Sequence, residues 1–250
     1  MPFSPNGPDQ SQSESPLSDV ANYLLAALPK ADYLRLSPHF RRVDLALGQI
    51  LYEPTEPIAT VYFPSQSMVS LVQIMENSST IEAGIVGNDG IVGYPVYLGG
   101  QYDSSRAIVQ IAGSAIALDA SVLKSEFERG GALQKLLLRY TQALLSQVSQ
   151  TAACNRFHST EERLARWLLQ SQDSVRLDTL DLTQDFLSSM LGTRRASVTV
   201  AAGILQKAGI IQYNRGQIKI LDRTALESAT CECYSLVKAE YARLLDAQIR

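Results

Sequence analysis

The sequence predicts an α+β protein in three successive parts: a many-stranded β-sandwich or barrel, one long helix, and a winged helix-turn-helix. Three observations carry this. Short runs rich in β-branched and aromatic residues follow one another from Val43 to Leu118; residues 132–156 contain neither Gly nor Pro; residues 182–222 set two short helical patterns before a hairpin pattern.

Composition fits a packed protein. Apolar types make up 46% of the 250 residues and charged types 19%, which excludes wholesale disorder. No run of about 18 apolar residues occurs, and the first residues lack the basic and apolar regions of a secretory signal. The three cysteines are too few for a disulfide framework, and their odd number fits a reducing compartment. A cytoplasmic protein without membrane partners is expected. The net charge of −3 is unevenly spread: residues 1–130 carry 7 basic and 14 acidic residues, residues 131–250 carry 15 and 11. Within residues 191–223, six basic residues stand against Asp222 alone, a confined surface suited to a polyanion.

Residues 1–16 are rich in Ser, Pro, Gln and Asn and read as a disordered tail. Leu17 to Leu28 forms a short amphipathic helix ended by Pro29, and a second helical stretch lies near Tyr33–Leu36. The runs VDLAL, QILYE, TVYFP, MVSLVQIM, TIEAGIV and RAIVQIAGSAIAL are the strands of a domain spanning 17–130. Gly, Pro and Asn-Ser-Ser clusters punctuate them, and no phosphate-binding loop precedes a helix.

In residues 131–157, Leu133, Leu137, Tyr140, Leu144, Val148 and Thr151 recur at spacings of three and four, giving one narrow apolar seam. Such a helix between two dissimilar halves is expected to pair with a copy of itself; the alternative is an ordinary core helix. Ser159-Thr160-Glu161-Glu162 has the pattern of a capping box that starts a new helix, so the domain boundary falls near Phe157-His158.

Residues 158–223 carry the functional signal. Thr183 can cap a helix that buries Phe186, Leu187, Met190 and Leu191; Gly192 ends it and Thr193 caps the next. That second helix buries Val198, Ala201, Ala202 and Leu205, and Asn214-Arg215-Gly216 then turns a hairpin. Two arginines in a first helical turn oppose the helix dipole, a placement that makes sense beside phosphates and guanine edges. Thr193, Arg194, Arg195, Ala196, Ser197, Thr199 and Val200 are the candidate DNA-contacting residues, with Arg215 reaching a phosphate from the wing tip. A helical hairpin used for protein contact is the alternative.

The order of these parts, the tract LTQDFLSSMLGTRRASVTVAAGILQKAGII and the tract YEPTEPIATVYFP resemble the cyclic-AMP receptor/fumarate-nitrate regulator (Crp/Fnr) superfamily from about Leu25 to Asp222. The resemblance implies a cyclic-nucleotide-binding-like jelly-roll sandwich, a long dimerisation helix and a C-terminal winged helix-turn-helix. It implies a homodimer on a roughly palindromic double-stranded DNA operator, with RNA polymerase and an unknown small-molecule effector as further partners. By position Arg195 matches the family's guanine-reading arginine, while Ala196 and Val200 replace an acidic and a basic reader.

The effector pocket departs from the family pattern. Tyr94, after Gly93, stands where a ribose-binding glutamate is expected, and Ser105 stands at the position of the phosphate-binding arginine. Arg106 follows one residue later, and a one-residue shift in a strand turns a side chain to the other face unless a bulge restores it. Cyclic AMP is therefore expected to bind weakly or not at all. Three cysteines fall short of an iron–sulfur cluster, and His39 and His158 have no ligand-like sequence neighbours for haem. Cys231 and Cys233 lie in the helical tract 224–250, where residues two apart diverge, so no metal or other cofactor is expected; buried free thiols or a redox sensor remain. That extension packs either on the DNA-binding domain or on the dimer. No catalytic set emerges, so a non-enzymatic regulator is expected. Two other readings stand beside it: a constitutive DNA-binding protein with a vestigial sensor, and a ligand or protein-interaction module that no longer touches DNA.

Overall fold

The computed structural model describes residues 22–245. The expected tail and residues 17–21 of the first expected helix lie outside the described residues. Helix α1 (Tyr23–Ala26) is capped by Asn22, whose amide also donates to the carbonyls of Pro64 and Gly90, tying the chain start to the sandwich. After α2 (Lys30–Leu36) come β1 (Arg41–Leu45), β2 (Ile50–Tyr52), β3 (Thr60–Pro64), β4 (Met68–Ile74), β5 (Thr80–Val86), β6 (Arg106–Ile111) and β7 (Gly113–Asp119). They form two antiparallel sheets, ordered β1-β7-β3 and β2-β6-β4-β5.

The run read as one strand from Arg106 to Leu118 thus splits at Ala112 and changes sheets. Gly113 is required there, because a Cβ would collide with the backbone carbonyl of Gln66. Alternation puts Ala107 and Val109 into the sandwich core with Val61, Phe63, Val69 and Leu118.

Helix α3 (Ala120–Glu128) leads into α4 (Ala132–Phe157), 26 residues long. Then follow α5 (Thr160–Val175), β8 (Thr179–Asp181), α6 (Gln184–Met190), α7 (Arg195–Lys207), β9 (Ile211–Asn214), β10 (Gln217–Ile220), α8 (Arg223–Ala229) and α9 (Cys233–Leu245). Ser159 caps α5 in a full capping box: its hydroxyl accepts from the Glu162 amide, and its own amide donates to the Glu162 carboxylate at 2.8 Å. The Ser159 amide and hydroxyl both donate to the Glu162 carboxyl and hold it below its usual range.

The apolar seam of α4 corrects an expectation. Leu133, Leu137, Tyr140, Leu144 and Thr151 are buried within the protomer and Val148 is half-buried, so this stripe cannot pair two subunits. Strand β5 covers it on one side, and α9, the C-terminal extension, lies along it with Val237, Tyr241 and Leu244. The exposed stripe of α4 is a different one: Leu138, Gln142, Leu145, Ser149, Ala152 and Arg156.

The C-terminal unit has a second core. Trp167, Leu168, Leu187, Val198, Leu205, Ile211, Ile218 and Leu226 meet there, with Met68 and Ile85 reaching in from the sandwich. Where the two bodies touch, the Trp167 indole donates to the buried carboxylate of Glu82 at 3.0 Å, and the Ser70 hydroxyl donates to the same group. Full burial raises the Glu82 carboxyl to about 7, against the lowering effect of Ser70, Trp167 and Arg166. Gln110 of β6 donates to the Met190 sulfur at 3.1 Å across the same junction.

Candidate nucleic-acid interface

Helix α6 starts where its local chemistry dictates, the Thr183 hydroxyl accepting from the Phe186 amide at 3.2 Å. Gly192 then turns with φ +55°, and any Cβ on it would press on Ile81 of β5. The next helix begins one residue later than expected: Arg194, not Thr193, is the N-cap of α7, and it supplies no side-chain cap. The Thr193 amide instead donates to the Ser188 carbonyl, closing the turn. A guanidinium group of the buried Arg163 donates to the carbonyl of Leu191 and fastens this turn to α5.

Val198, Ala201, Ala202 and Leu205 bury one face of α7. The opposite face is open: Arg194, Arg195, Ala196, Thr199, Val200 and Gly203 are exposed, Ser197 is half-buried, and Val200 keeps 63% of its surface in solvent. Arg195 is aimed from α6. Its Nε donates to Gln184 Oε1 at 3.4 Å, its terminal nitrogen stands 3.3 Å from Asp185, and Thr199 shares the Gln184 oxygen at 3.0 Å. Gln184 and Asp185 were invisible to a reading of α7 alone, because they act across the turn. An exposed pair of this kind contributes little to stability, so it orients the guanidinium without committing it.

The wing is three-stranded, in the order β8-β10-β9, and β8 had no sequence signal strong enough to be read. At its tip Arg215 and Gly216 have φ of +48° and +82°, a two-residue turn of the mirror-image kind that matches strand twist. Arg215 and Lys219 are exposed. Arg223 is not part of this surface. It is held by Asp173, Glu227, Gln172 and the Tyr234 hydroxyl at 2.7–2.9 Å, so the positive patch rests on Arg194, Arg195, Lys207, Arg215 and Lys219.

Gly203 sits mid-helix on the open face, with nothing within 4 Å of an added Cβ. Gly203→Ala is therefore expected to raise stability by about 0.5–1 kcal/mol in chemical denaturation. A loss of stability would show that α7 is covered there.

In the sandwich, the four expected pocket residues do not form one anion site. Arg106 lies on the face opposite Ala107 and Val109, and Glu53 takes it in a paired contact at 2.8 Å on both sides. The bulges along β6 fall after Arg106, at Gln110 and opposite the strand at Leu51, and leave its direction unchanged. Ser105 is buried and its amide donates to Asp103, which also accepts from the Tyr52 hydroxyl at 3.0 Å. Gly93 turns with φ +102° against Val61, and burial raises the half-buried Tyr94 hydroxyl, with Asp103 adding to the effect. A cavity of about 440 Å³ lies away from these four residues. That cavity lies where β5, α5 and α9 meet, lined by Asp173, Arg176, Tyr234, Lys238 and Tyr241 among others.

The structure also overturns the premise about the cysteines. The tract from Ala225 to Leu245 is not one helix: α8 ends at Ala229, Thr230 leaves in an extended conformation, and α9 starts at Cys233. Cys231 is thus freed from helical geometry, and its sulfur lies 3.6 Å from that of Cys154 on α4. His158 Nδ1 lies 3.4 Å from the Cys233 sulfur, a neighbour 75 positions away that sequence spacing could not show. The thiol contact with Cys154 pulls Cys231 down from the ordinary thiol range and pushes Cys154 up.

The chain is built as a β-sandwich, a long helix and a winged helix whose second helix has one open face. Residues 162–229 match the family model described as a Crp-like helix-turn-helix domain. No curated protein sequence matches the chain significantly. Among solved structures, FixK2 from Bradyrhizobium japonicum superposes with a TM-score of 0.65 at 18% identity, over 77% of this chain and 98% of its own. A CRP-family transcriptional regulator from Thermus thermophilus, TTHB099, gives 0.59 at 19% identity, over 76% and 95%. The c-di-GMP-responsive global regulator CLP of Xanthomonas campestris gives 0.57 at 15%, over 77% and 99%. The chain has the fold of the Crp/Fnr transcriptional regulators and carries their helix-turn-helix domain. Among the described residues, no helix is long and apolar enough to cross a membrane.

Proposed function

We propose that the chain is a homodimeric, sequence-specific DNA-binding transcription regulator whose α7 enters the major groove, and whose sandwich does not take cyclic AMP. The observation that carries the first part is Arg195, exposed in the first turn of α7 and held outward by Gln184 and Asp185. From there a guanidinium reaches O6 and N7 of guanine, while Ala196 and Val200 offer apolar contact to a thymine methyl. Arg215 at the wing tip supports a backbone contact.

The exposed stripe of α4 supports pairing with a second copy. Leu138, Gln142, Leu145, Ser149, Ala152 and Arg156 follow spacings of four and three, the rhythm of a coiled-coil seam, and Phe157 beside its end is 78% exposed. A two-fold dimer of this kind places half-sites about 34 Å apart. For the sandwich, Glu53 occupies Arg106, and Asp103 adds a second carboxylate near Tyr94, so a phosphate would meet negative charge.

Selection of binding sites from genomic DNA is expected to return a dyad motif; random enrichment would overturn the reading. Arg195→Ala is expected to relax preference at one base pair per half-site and cost about 1–3 kcal/mol, whereas Arg215→Ala weakens all sequences alike. Equal losses for both would remove the distinction between base and backbone contact. Cyclic AMP at millimolar concentration is expected to leave the melting temperature unchanged; a dose-dependent rise would show binding.

A further inference from the structure

Where the chain passes into the DNA-binding unit, and again where it leaves, the same small volume is used. Cys154 and His158 stand at the end of α4; Cys231 and Cys233 flank the start of α9. All three cysteines of the protein and one of its two histidines meet there, their donor atoms all within 4.8 Å of one another.

We propose that Cys154, His158, Cys231 and Cys233 bind one zinc ion in a closed tetrahedral site that locks the two ends of the DNA-binding unit together. Zinc–sulfur bonds of about 2.3 Å and zinc–nitrogen bonds of about 2.0–2.1 Å require tetrahedral edges of roughly 3.8 Å between sulfurs and roughly 3.6 Å between sulfur and nitrogen. The Cys154–Cys231 and Cys233–His158 separations are 3.6 and 3.4 Å. Three thiolates and an imidazole form a structural set, not one that leaves a position open for chemistry.

The surroundings support the ligands. His158 presents Nδ1 to the cluster, and its other nitrogen, Nε2, lies 3.2 Å from the Glu232 carboxylate, the contact that fixes ring orientation in zinc sites. The Gln150 amide donates to the Cys233 sulfur at 3.1 Å. Arg163 and Arg166 are buried beside the thiols, and the Nε of each has no hydrogen-bond partner among the described residues. Two buried guanidinium groups beside the three sulfurs call for compensating negative charge. Three thiolates on Zn²⁺ carry a net charge of −1 and supply that compensation; each ligand thiol gives up its proton to solvent as the metal binds.

The full-length chain, purified under reducing conditions without added metal, is expected to hold one zinc per chain by elemental analysis. After chelation, Co²⁺ is expected to produce the intense visible bands of a tetrahedral thiolate site, and Zn²⁺ to erase them. Cys231→Ser/Cys233→Ser should lose both signals, and His39→Ala should keep them. If the double variant does not fold, as judged by circular dichroism, the Co²⁺ titration of the natural chain decides. A chain without zinc that gives no tetrahedral spectrum overturns the proposal. So does a Cys154–Cys231 disulfide in place of metal, or zinc retained in full by the folded double variant.

Discussion

Leu144→Ala is expected to cost about 2–5 kcal/mol in denaturant unfolding, and Leu145→Ala to change protomer stability by less than about 0.5 kcal/mol. The two residues are neighbours on α4 with opposite surroundings: Leu144 is 3% exposed and Leu145 62%. The first fills the volume between α4, β5 and α9, and its removal leaves a cavity that packed neighbours only partly collapse into. Loss at Leu145 appears instead in assembly. Leu145→Glu places charge in the centre of the outer stripe, so sedimentation is expected to show a monomer with the circular dichroism of the natural chain. DNA affinity then drops steeply, because one helix-turn-helix unit binds a half-site without the second. A dimer that survives Leu145→Glu would refute the outer seam.

Stability is also expected to fall by about 3 kcal/mol as pH rises from about 4.5 to 7, through Glu82 alone. The carboxyl titrates near 4.5 when the chain is unfolded and near 7 when buried beneath Trp167. Between those values the folded state keeps a proton that the unfolded state has released. Stabilisation is therefore complete below the lower value, declines through the window and is gone above the upper one. Glu82→Gln keeps an oxygen to accept from Trp167 and carries no charge at any pH. Its denaturation midpoint should lack this decline and exceed that of the natural chain at about pH 8. A natural chain with no slope between about pH 5 and 7 would show that Glu82 is hydrated. The same carboxyl joins β5 to α5, so the slope reports on the junction between sandwich and helix-turn-helix unit.

The helix-turn-helix was legible in the sequence because its determinants are local: a threonine cap, a glycine turn, a period of apolar residues and a two-residue hairpin. The sandwich strands were legible for the same reason, except where Ala112 switches sheets and a single apolar run conceals two strands. Helix α4 shows the limit. It carries two stripes, and periodicity finds the bulkier one without saying what covers it; α9, far downstream in the chain, does. The thiol cluster failed at a similar point. Nothing in the run ALESATCECYS announces a break, yet Thr230 breaks it and its hydroxyl turns back to donate to the carbonyl of Glu162 at 3.4 Å. Pairing across such distances is a property of the folded chain.

The convergence of Cys154–His158 with Cys231–Cys233 gives the helix-turn-helix unit the anatomy of an insert. Its two seams lie side by side, so a different unit of similar size could be spliced at the same cut points without stretching the host.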